Sequence, residues 1–455
     1  MTDPSAQADF CRVADGFHGM WHRQPDAGGK GAKYSGGLST YPAQQGPQAV
    51  FVADANKTFF CWGGVSPDNY LRLRSGERRW DFQSGNLLQC VGAFDHTSGR
   101  LLPPVCVFDK WCADPHDNPV IQVDRDGYLW LFSPSHGDWT TRSFIHRSVA
   151  PHDHTAWETV SDGPLFAYPH VHYRPQHGFC FVHTVYDNNC RGLHVRTSDD
   201  GMSWTPTRAI AMAGQGHYAV SCLDAQRGVI HLAFDYHPEI GGLDRRTNLY
   251  ILRSSDWGAT WTTSSGEQID LPITSPDHPA RVLDTEEQRS LCYVKDAALD
   301  LEGRLLLLVS TAPDDGSPPG ERPSTWKLIR ERETGWTVAE ICVSDHDYDY
   351  GSLYVERVGA TERLRIIGAT EPGPQPRHTG GHLATWISDD GGQSWHRERV
   401  LTRGGSVNHT YPRKPLGADP AFYAFWADGD ASQPSASSLW YIARDAAVPT
   451  RMEII

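Results

Sequence analysis

A short pattern that occurs three times constrains the fold of this chain more than any other feature of its sequence. It reads Ser/Thr-x-Asp-x-Gly-x-Ser/Thr-Trp and covers residues 197–204, 254–261 and 388–395. An aspartate in such a turn accepts backbone N–H bonds, and the glycine adopts the positive φ that the turn requires. The final tryptophan packs back under the turn. Each copy therefore predicts a hairpin between two β-strands.

The three segments resemble the Asp-box, or BNR, repeat of sialidase-type β-propellers, in which the box joins the outer two strands of a blade. Their tryptophans are 57 and then 134 residues apart. The second interval is twice a period of about 65 residues, and the chain length of 455 residues corresponds to about seven such periods. We expect a seven-bladed β-propeller that occupies residues 1–455 as a single domain.

Composition also favours an all-β fold. The chain contains 43 glycines, 31 prolines and 16 tryptophans, and long helical periodicities are missing. Glycine and proline at this density are typical of many short strands that are joined by tight turns.

Net charge and hydropathy limit the possible partners. With 41 basic and 55 acidic residues the formal charge is −14, which argues against nucleic acid, since phosphates require a basic face. No apolar run is long enough for a membrane span, so we expect no membrane partner. An anionic substrate would need a local cationic pocket. The oligomeric state stays open.

The N-terminal residues and the cysteines bear on the cellular compartment. The sequence begins without a basic segment or an apolar core of the kind that a secretory signal has. Its ten cysteines lack paired spacing and are expected to be free thiols. We therefore expect a cytoplasmic protein, or a secreted or periplasmic one if the natural chain begins further upstream.

Two histidines flank a predicted hairpin. Apolar runs on either side of Asp126-Gly127 predict two strands that a tight turn joins, and His116 and His136 lie just outside them. The far ends of antiparallel strands are neighbours, so both imidazoles can face one site. Imidazole titrates near neutral pH, which makes the pair a candidate for acid and base catalysis. The alternative is that both are loop histidines whose nitrogens bind backbone groups.

Further segments resemble motifs of the BNR-4 family along nearly the whole chain. They are 33–42, 116–119, 133–137, 216–218, 236–238, 246–250, 345–354, 370–376 and 408–411. The family includes seven-bladed propeller polysaccharide lyases, notably ulvan lyases, which cleave rhamnosyl-uronate linkages by β-elimination. The resemblance implies a lyase that acts on a 1,4-linked uronate in an anionic glycan, without an organic cofactor.

β-Elimination from a uronate needs a cation for the carboxylate, a base for the C5 proton and an acid for the departing O4. The resemblance implies that His116 and His136 supply base and acid. It also implies a tyrosine followed by a carboxylate-binding arginine, for which Tyr173 and Arg191 fit best, while Tyr186 competes for the tyrosine role. A surface salt bridge is the alternative role of Arg191.

Other motif positions are expected to bind substrate. They are Asn118, Tyr186, Tyr236 and Arg246. Each tyrosine could instead be a cross-strand packing residue, because sheets favour aromatic side chains.

A structural zinc is a further expectation. His217, Cys222, His231 and His237 lie close together in sequence, and ulvan lyases similar to this chain carry a zinc ion. We assign His217, Cys222 and His237 as its ligands. Because no short pair of ligands as in a zinc finger is present, Cys222 could equally be a core residue.

Two other functions stay open at this point. One is an exo-acting rhamnosyl-glucuronate lyase or a rhamnosidase-type glycoside hydrolase, the latter needing a carboxylate pair or an unusual histidine site. The other is a non-catalytic glycan-binding propeller, which fold resemblance does not exclude.

Overall fold

The structure is a computed structural model that describes the residues 11–23, 34–39, 45–66, 87–110, 112, 114–136, 142–161, 165–187, 190–433 and 435–454. Within these residues it contains β-strands and one 3-10 helix, η1 (Pro115–Asp117). The all-β prediction is confirmed. No helix in this part of the chain has the length and apolar character that a membrane crossing needs.

The strands form six antiparallel sheets. The first seven strands are β1 (Arg12–Val13), β2 (His18–Arg23), β3 (Tyr34–Ser35), β4 (Ala49–Val52), β5 (Lys57–Val65), β6 (Leu87–Asp95) and β7 (Arg100–Asp109). Two four-stranded sheets follow: β8 (Val120–Val123), β9 (Leu129–Ser133), β10 (Phe144–Ser148) and β11 (Trp157–Ser161), then β12 (Ala167–Arg174), β13 (Gly178–Asp187), β14 (Cys190–Ser198) and β15 (Arg208–Ala211).

The second half of the chain repeats this arrangement. A five-stranded sheet contains β16 (Ala219–Asp224), β17 (Val229–Tyr236), β18 (Thr247–Ser254), β19 (Thr262–Thr263) and β20 (Arg281–Leu283). Two four-stranded sheets follow: β21 (Ser290–Leu299), β22 (Leu305–Pro313), β23 (Ser324–Glu331) and β24 (Trp336–Ser344), then β25 (Gly351–Val358), β26 (Thr361–Glu371), β27 (His382–Ser388) and β28 (His396–Val400). The last strands are β29 (Asn408–Arg413), β30 (Ala424–Gly429), β31 (Ser435–Ile442) and β32 (Thr450–Arg451).

The two ends of the chain share one sheet. β2 pairs with β31 in antiparallel register, with His18 opposite Ser438. This pairing joins the first seven strands and the last four into an eleven-stranded sheet. A core cluster spans both groups of strands and includes the buried rings of Phe60, Trp62 and Trp426.

The hairpin predicted around Asp126-Gly127 is present. β8 and β9 pair in antiparallel register, with Val120 opposite Phe132, and Gly127 has a φ of 84°. Asp124 organises the turn, because its carboxylate accepts the backbone N–H groups of Asp126 and Tyr128 at 3.0 and 2.9 Å. The local sequence is therefore sufficient to bring the two outer ends of this hairpin together.

Each of the three repeated segments forms a turn between the third and fourth strands of its sheet. In the second, Asp256 Oδ1 accepts the Thr260 N–H at 2.8 Å; in the third, Asp390 Oδ1 accepts the Ser394 N–H at 3.0 Å. In the first segment Asp200 takes this role instead of Asp199, and its Oδ1 accepts the Ser203 N–H at 2.9 Å. This turn is one residue shorter, so the sequence pattern had assigned the wrong aspartate.

Candidate active site

The two predicted histidines lie side by side. His116 is the middle residue of η1, and His136 follows β9. Their rings are stacked, with centroids 3.6 Å apart and an angle of 11° between the planes. Asp114 joins them: its Oδ1 contacts Nδ1 of His116, and its Oδ2 lies 2.8 Å from Nδ1 of His136. The same carboxylate caps η1 by accepting the His116 backbone N–H at 3.0 Å. One carboxylate thus orients both imidazoles.

Burial and the Asp114 carboxylate set the charge of this cluster. Burial lowers the pKa of His116 to about 4, although Asp114 acts in the opposite direction. Desolvation raises the pKa of Asp114, but the two imidazoles outweigh it and hold that pKa well below its usual range. Two imidazolium ions stacked this closely would repel each other strongly. Asp114 contacts both Nδ1 atoms, so Nε2 is the ring nitrogen of each histidine that this carboxylate does not contact.

A buried ion pair between Asp117 and Lys110 holds the backbone at His136. Asp117 Oδ1 accepts the His136 backbone N–H at 2.7 Å, and Asp117 Oδ2 lies 3.4 Å from Nζ of Lys110. Burial raises the pKa of Asp117, and Lys110 opposes that effect. Removing one partner of such a pair leaves a buried charge uncompensated, which costs about 3–5 kcal/mol. Asp117 therefore fixes the backbone that carries His136.

Asn118, which we predicted to bind substrate, is fully buried. Its Nδ2 donates to the Gly36 carbonyl at 2.6 Å, and its own carbonyl accepts from Gln45 at 2.9 Å. The side chain also fills the space beside Gly63, where an added Cβ would lie 1.9 Å from Asn118 Oδ1. In this arrangement Asn118 holds the loop that follows η1, and the structure does not bring it to the cleft.

Tyr168, not Tyr173, is the tyrosine of β12 that reaches the histidines. Its ring lies 5.9 Å from the ring of His116 and 5.9 Å from that of His136. The hydroxyl of Tyr173 accepts the Arg125 backbone N–H at 3.0 Å, beside the turn at the other end of the hairpin. Five residues of strand separate the two tyrosines by ~17 Å. Tyr173 is thus in the wrong part of the sheet for the role that we predicted.

Tyr186 connects the histidine pair to the positively charged side chain of Arg191. Tyr186 and Arg191 lie directly opposite each other on β13 and β14, so their side chains share one face of the sheet. The Tyr186 ring meets the His136 ring edge-on at 5.6 Å and is 38% exposed. The structure therefore brings together His136, Tyr186 and Arg191, three residues that the sequence analysis had named as candidates.

Arg191 is held by a neutral partner. Its Nη2 donates to Nδ1 of His237 at 2.7 Å, and Nε2 of His237 lies 3.1 Å from Oδ1 of Asp235. Burial lowers the pKa of His237 to about 4, although Asp235 acts in the opposite direction. Among the described residues no carboxylate lies within ion-pair distance of Arg191. Its positive charge is available to an anionic ligand.

A second guanidinium lies behind this group. Arg246 is 1% exposed, and its guanidinium carbon lies 4.6, 4.7 and 5.0 Å from the ring centres of Tyr218, Tyr293 and Tyr348. The Tyr218 ring also lies 5.7 Å from the guanidinium carbon of Arg191. Arg246, which we predicted to bind substrate, thus contributes positive potential from below the surface in this arrangement.

Tyr236, another predicted substrate-binding residue, is 7% exposed and belongs to a hydrophobic core cluster. Its ring lies 6.3 Å from that of His217. The next residue, His237, points toward Tyr218, because successive side chains of an extended segment alternate in direction. Tyr236 therefore faces away from the cluster around Arg191.

The predicted zinc ligands do not fit a metal ion. Nδ1 of His217 lies 2.7 Å from the Asp235 carbonyl, and its Nε2 accepts the Ala213 N–H at 3.1 Å. Nδ1 of His237 accepts from Arg191, and its Nε2 faces Asp235 Oδ1 at 3.1 Å. Cys222 lies on β16 opposite His231, whose Nδ1 is 3.3 Å from Nε of Arg253. Cys222 and His231 thus face each other, whereas His217 and His237 lie beside Asp235, and the three assigned ligands do not form a group with metal-compatible spacing among the described residues.

Within the described ranges, the group with metal-compatible spacing is Asp114, His116 and His136, whose ligand atoms lie within 4.8 Å of one another. Both Nδ1 atoms contact the Asp114 carboxylate, so the short spacing is that of a hydrogen-bonded cluster.

Sequence reasoning missed Asp114, Tyr168, Tyr218 and Asp235. Two of them could have been identified from the sequence. Asp114 precedes the Pro-His pair, and Tyr218 ends the Gly-His-Tyr motif that resembles the family. Asp235 gave no sequence signal, because its role depends on its contact with the ring of His237, which the sequence alone does not reveal.

Comparison with known proteins places these residues in context. A sequence model of a family described as BNR repeat-containing family members matches residues 70–343. No curated protein sequence matches the chain.

Several solved structures share the fold. A structure described as a new family of polysaccharide lyase, PL25 ulvan lyase, has a TM-score of 0.73 at 15% identity, over 97% of both chains. Its complex with -[GlcA(1-4)Rha3S]- gives a TM-score of 0.72 at the same identity and coverage. The polysaccharide lyase Uly1 gives 0.60 at 11% identity, over 95% of this chain and 99% of that one.

Proposed function

The chain belongs to the BNR repeat-containing family, and on that premise we propose that it is a polysaccharide lyase that cleaves a 1,4-linked uronate glycan, of the rhamnosyl-uronate type, by β-elimination. The likeness to ulvan lyases supports this proposal at the level of the fold. The neighbour in complex with a glucuronate-rhamnose oligosaccharide suggests the chemical class of the ligand.

For the architecture, we propose a seven-bladed propeller that forms one domain. Five sheets contain four or five strands each. The eleven-stranded sheet contains two further antiparallel groups, β4–β7 and β29–β32, which β2 connects. Counted as two blades, these groups bring the total to about seven. In such a propeller the loops of neighbouring blades meet around a shared axis, which suits a site built from several sheets.

One observation carries the functional proposal: Arg191 lies directly opposite Tyr186, which contacts His136, and no described carboxylate neutralises it. A uronate carboxylate would bind this guanidinium, whose planar fork suits carboxylate geometry. Neutralising the carboxylate makes the C5 proton of the sugar more acidic.

The histidine pair and a tyrosine would then share the proton transfers. One group takes the C5 proton, the C4–O4 bond breaks as the C4–C5 double bond forms, and the other group protonates O4. Asp114 stabilises the imidazolium that arises when a histidine accepts a proton. Tyr186 is the exposed phenol next to His136, whereas Tyr168 is buried behind it.

The carboxylates of this cluster argue for elimination over hydrolysis. A glycoside hydrolase commonly uses two carboxyl groups, one on each side of the scissile bond. Here Asp114 is engaged by two imidazoles, and Asp235 is fully buried. The described cluster therefore lacks a pair of free carboxylates.

The proposal is tested by incubating the protein with a panel of uronate-containing glycans. Elimination creates an unsaturated uronate, which is measured by enoate absorbance, and leaves the summed product mass equal to that of the substrate. Arg191→Ala should reduce kcat/KM by about a thousandfold, since it removes the cation that acidifies the C5 proton. Products that are heavier by one water would establish hydrolysis, and full activity of Arg191→Ala would refute the role of the arginine.

A further inference from the structure

We propose that His237 and Asp235 are positioning residues, which orient the Arg191 guanidinium without neutralising its charge. This inference rests on the proposed function, because the charge matters for an anionic substrate. It assigns a role to His237 that differs from the metal ligation predicted from sequence.

The direction of each hydrogen bond follows from the chemistry of the groups. A guanidinium can only donate, so Nδ1 of His237 accepts from Arg191 and is unprotonated. Nε2 then carries the proton of the neutral ring and faces Asp235 Oδ1 at 3.1 Å. The same oxygen accepts the Tyr218 backbone N–H at 2.7 Å. Asp235 and His237 are both fully buried, so this chain of contacts is enclosed within the core.

Three buried arginines of this protein differ from Arg191, because they pair directly with carboxylates: Arg322 with Asp347 at 2.7 Å, Arg330 with Asp300 at 2.8 Å, and Arg365 with Glu356 at 2.8 Å.

A carboxylate next to Arg191 would hold it equally well but would compete with a substrate carboxylate. An imidazole holds it and leaves the charge unpaired. Asp235 then fixes the orientation of the imidazole from the far side of the ring.

β17, the strand that His237 follows, offers a matched control. His231 on β17 is 5% exposed, and its Nδ1 lies 3.3 Å from Nε of Arg253, so it also contacts a guanidinium. Arg253, however, forms an ion pair with Glu331. Six residues of chain separate His231 from His237, or ~20 Å, which places the control outside the cluster.

The experiment compares three variants of His237 with His231→Asn, using the uronate glycan that the wild type cleaves. His237→Asn keeps an acceptor where Nδ1 was, so its KM should stay within about threefold of wild type. His237→Ala removes the acceptor, and KM should rise at least about tenfold, the effect of losing a hydrogen bond to a charged group.

His237→Asp is the decisive variant. It supplies an acceptor that also carries a negative charge, so KM should rise further than in His237→Ala. Binding of the carboxyl-esterified oligosaccharide should remain unchanged, because that ligand does not need the cation. The control His231→Asn should keep both kcat and KM.

Several outcomes would overturn the inference. They are an unchanged KM in His237→Ala, a wild-type KM in His237→Asp, or an equal loss of binding for the esterified glycan. Melting temperatures verify folding, and if His237→Ala does not fold, the comparison of the Asn and Asp variants still decides.

Failure of the proposed function is distinguishable from failure of this inference. If the wild type cleaves no uronan, the lyase proposal fails. Crystal structures of the wild type and of His237→Ala (or of His237→Asn and His237→Asp, if the alanine variant does not fold) then decide the matter. A guanidinium of Arg191 that keeps its position without an acceptor, or that does not turn toward the new carboxylate, would refute the positioning role.

Discussion

Replacing Asp114 with asparagine tests whether one carboxylate governs both histidines. The carboxylate binds Nδ1 of His116 and Nδ1 of His136 through separate oxygens. An amide keeps one oxygen acceptor but places an NH₂ group against the other ring, and it has no negative charge. A hydrogen bond to a charged group contributes about 1.5–3 kcal/mol. With the lost charge added, the barrier should rise by about 3 kcal/mol, or roughly a hundredfold in kcat.

The assay is enoate formation measured as kcat and KM over a range of pH. KM should change little, since Asp114 does not contact the cation. The acid limb of the kcat profile should move to lower pH, because Asp114 raises the pKa of His116 and its removal lets that pKa fall. Asp153→Asn is the matched control: this aspartate caps a turn by accepting the Thr155 N–H at 2.8 Å. A folded Asp114→Asn protein with wild-type kcat would show that the histidines do not act as a pair.

Two further predictions concern stability. Burial lowers the pKa of His146 to about 3, below the value of about 6.5 in the unfolded chain, so the unfolded state takes up the proton first as pH falls. His146→Gln should therefore reduce the pH dependence of the free energy of unfolding by about 1.4 kcal/mol per pH unit between pH 6 and 4, measured by urea titration, and an unchanged slope would contradict the shift. Gly63→Ala should destabilise the protein by about 1–3 kcal/mol, because the added Cβ would overlap Asn118 Oδ1. The control Gly405→Ala, where the nearest atoms to an added Cβ are 3.9 Å away, should keep the melting temperature of the wild type. Equal melting temperatures for the two variants would mean that the loop at Asn118 moves to accommodate the methyl group without a cost in stability.

The fold was predictable where structure is local. The hairpin at Asp126-Gly127 and the repeated turns follow from side chains that bond within a few residues of themselves. Even the misassigned Asp199 shows this, since Asp200 performs the same function one position later. The joining of β2 to β31 has no local signal, because its partners lie at opposite ends of the sequence.

The site was predictable in part for the same reason. His116 and His136 are neighbours because one hairpin joins them, and Arg191 was assigned from the tyrosine–arginine pair that the family resemblance implies. Tyr173 was misplaced because residue type does not reveal which end of a strand faces the cleft. The zinc expectation counted imidazoles, but the backbone takes up both nitrogens of His217, which spacing alone does not reveal.

The pairing of β2 with β31 also governs when the protein can fold during synthesis. Ser438 must emerge from the ribosome before His18 can find its partner, so β2 waits until residues 19–438 have been synthesised. Until then β2 has a free edge, of the kind that pairs readily with strands of other chains. Contacts of such long sequence separation also slow folding. The pairing of β2 with β31 thus forms late, and the strand groups between these two strands can form first.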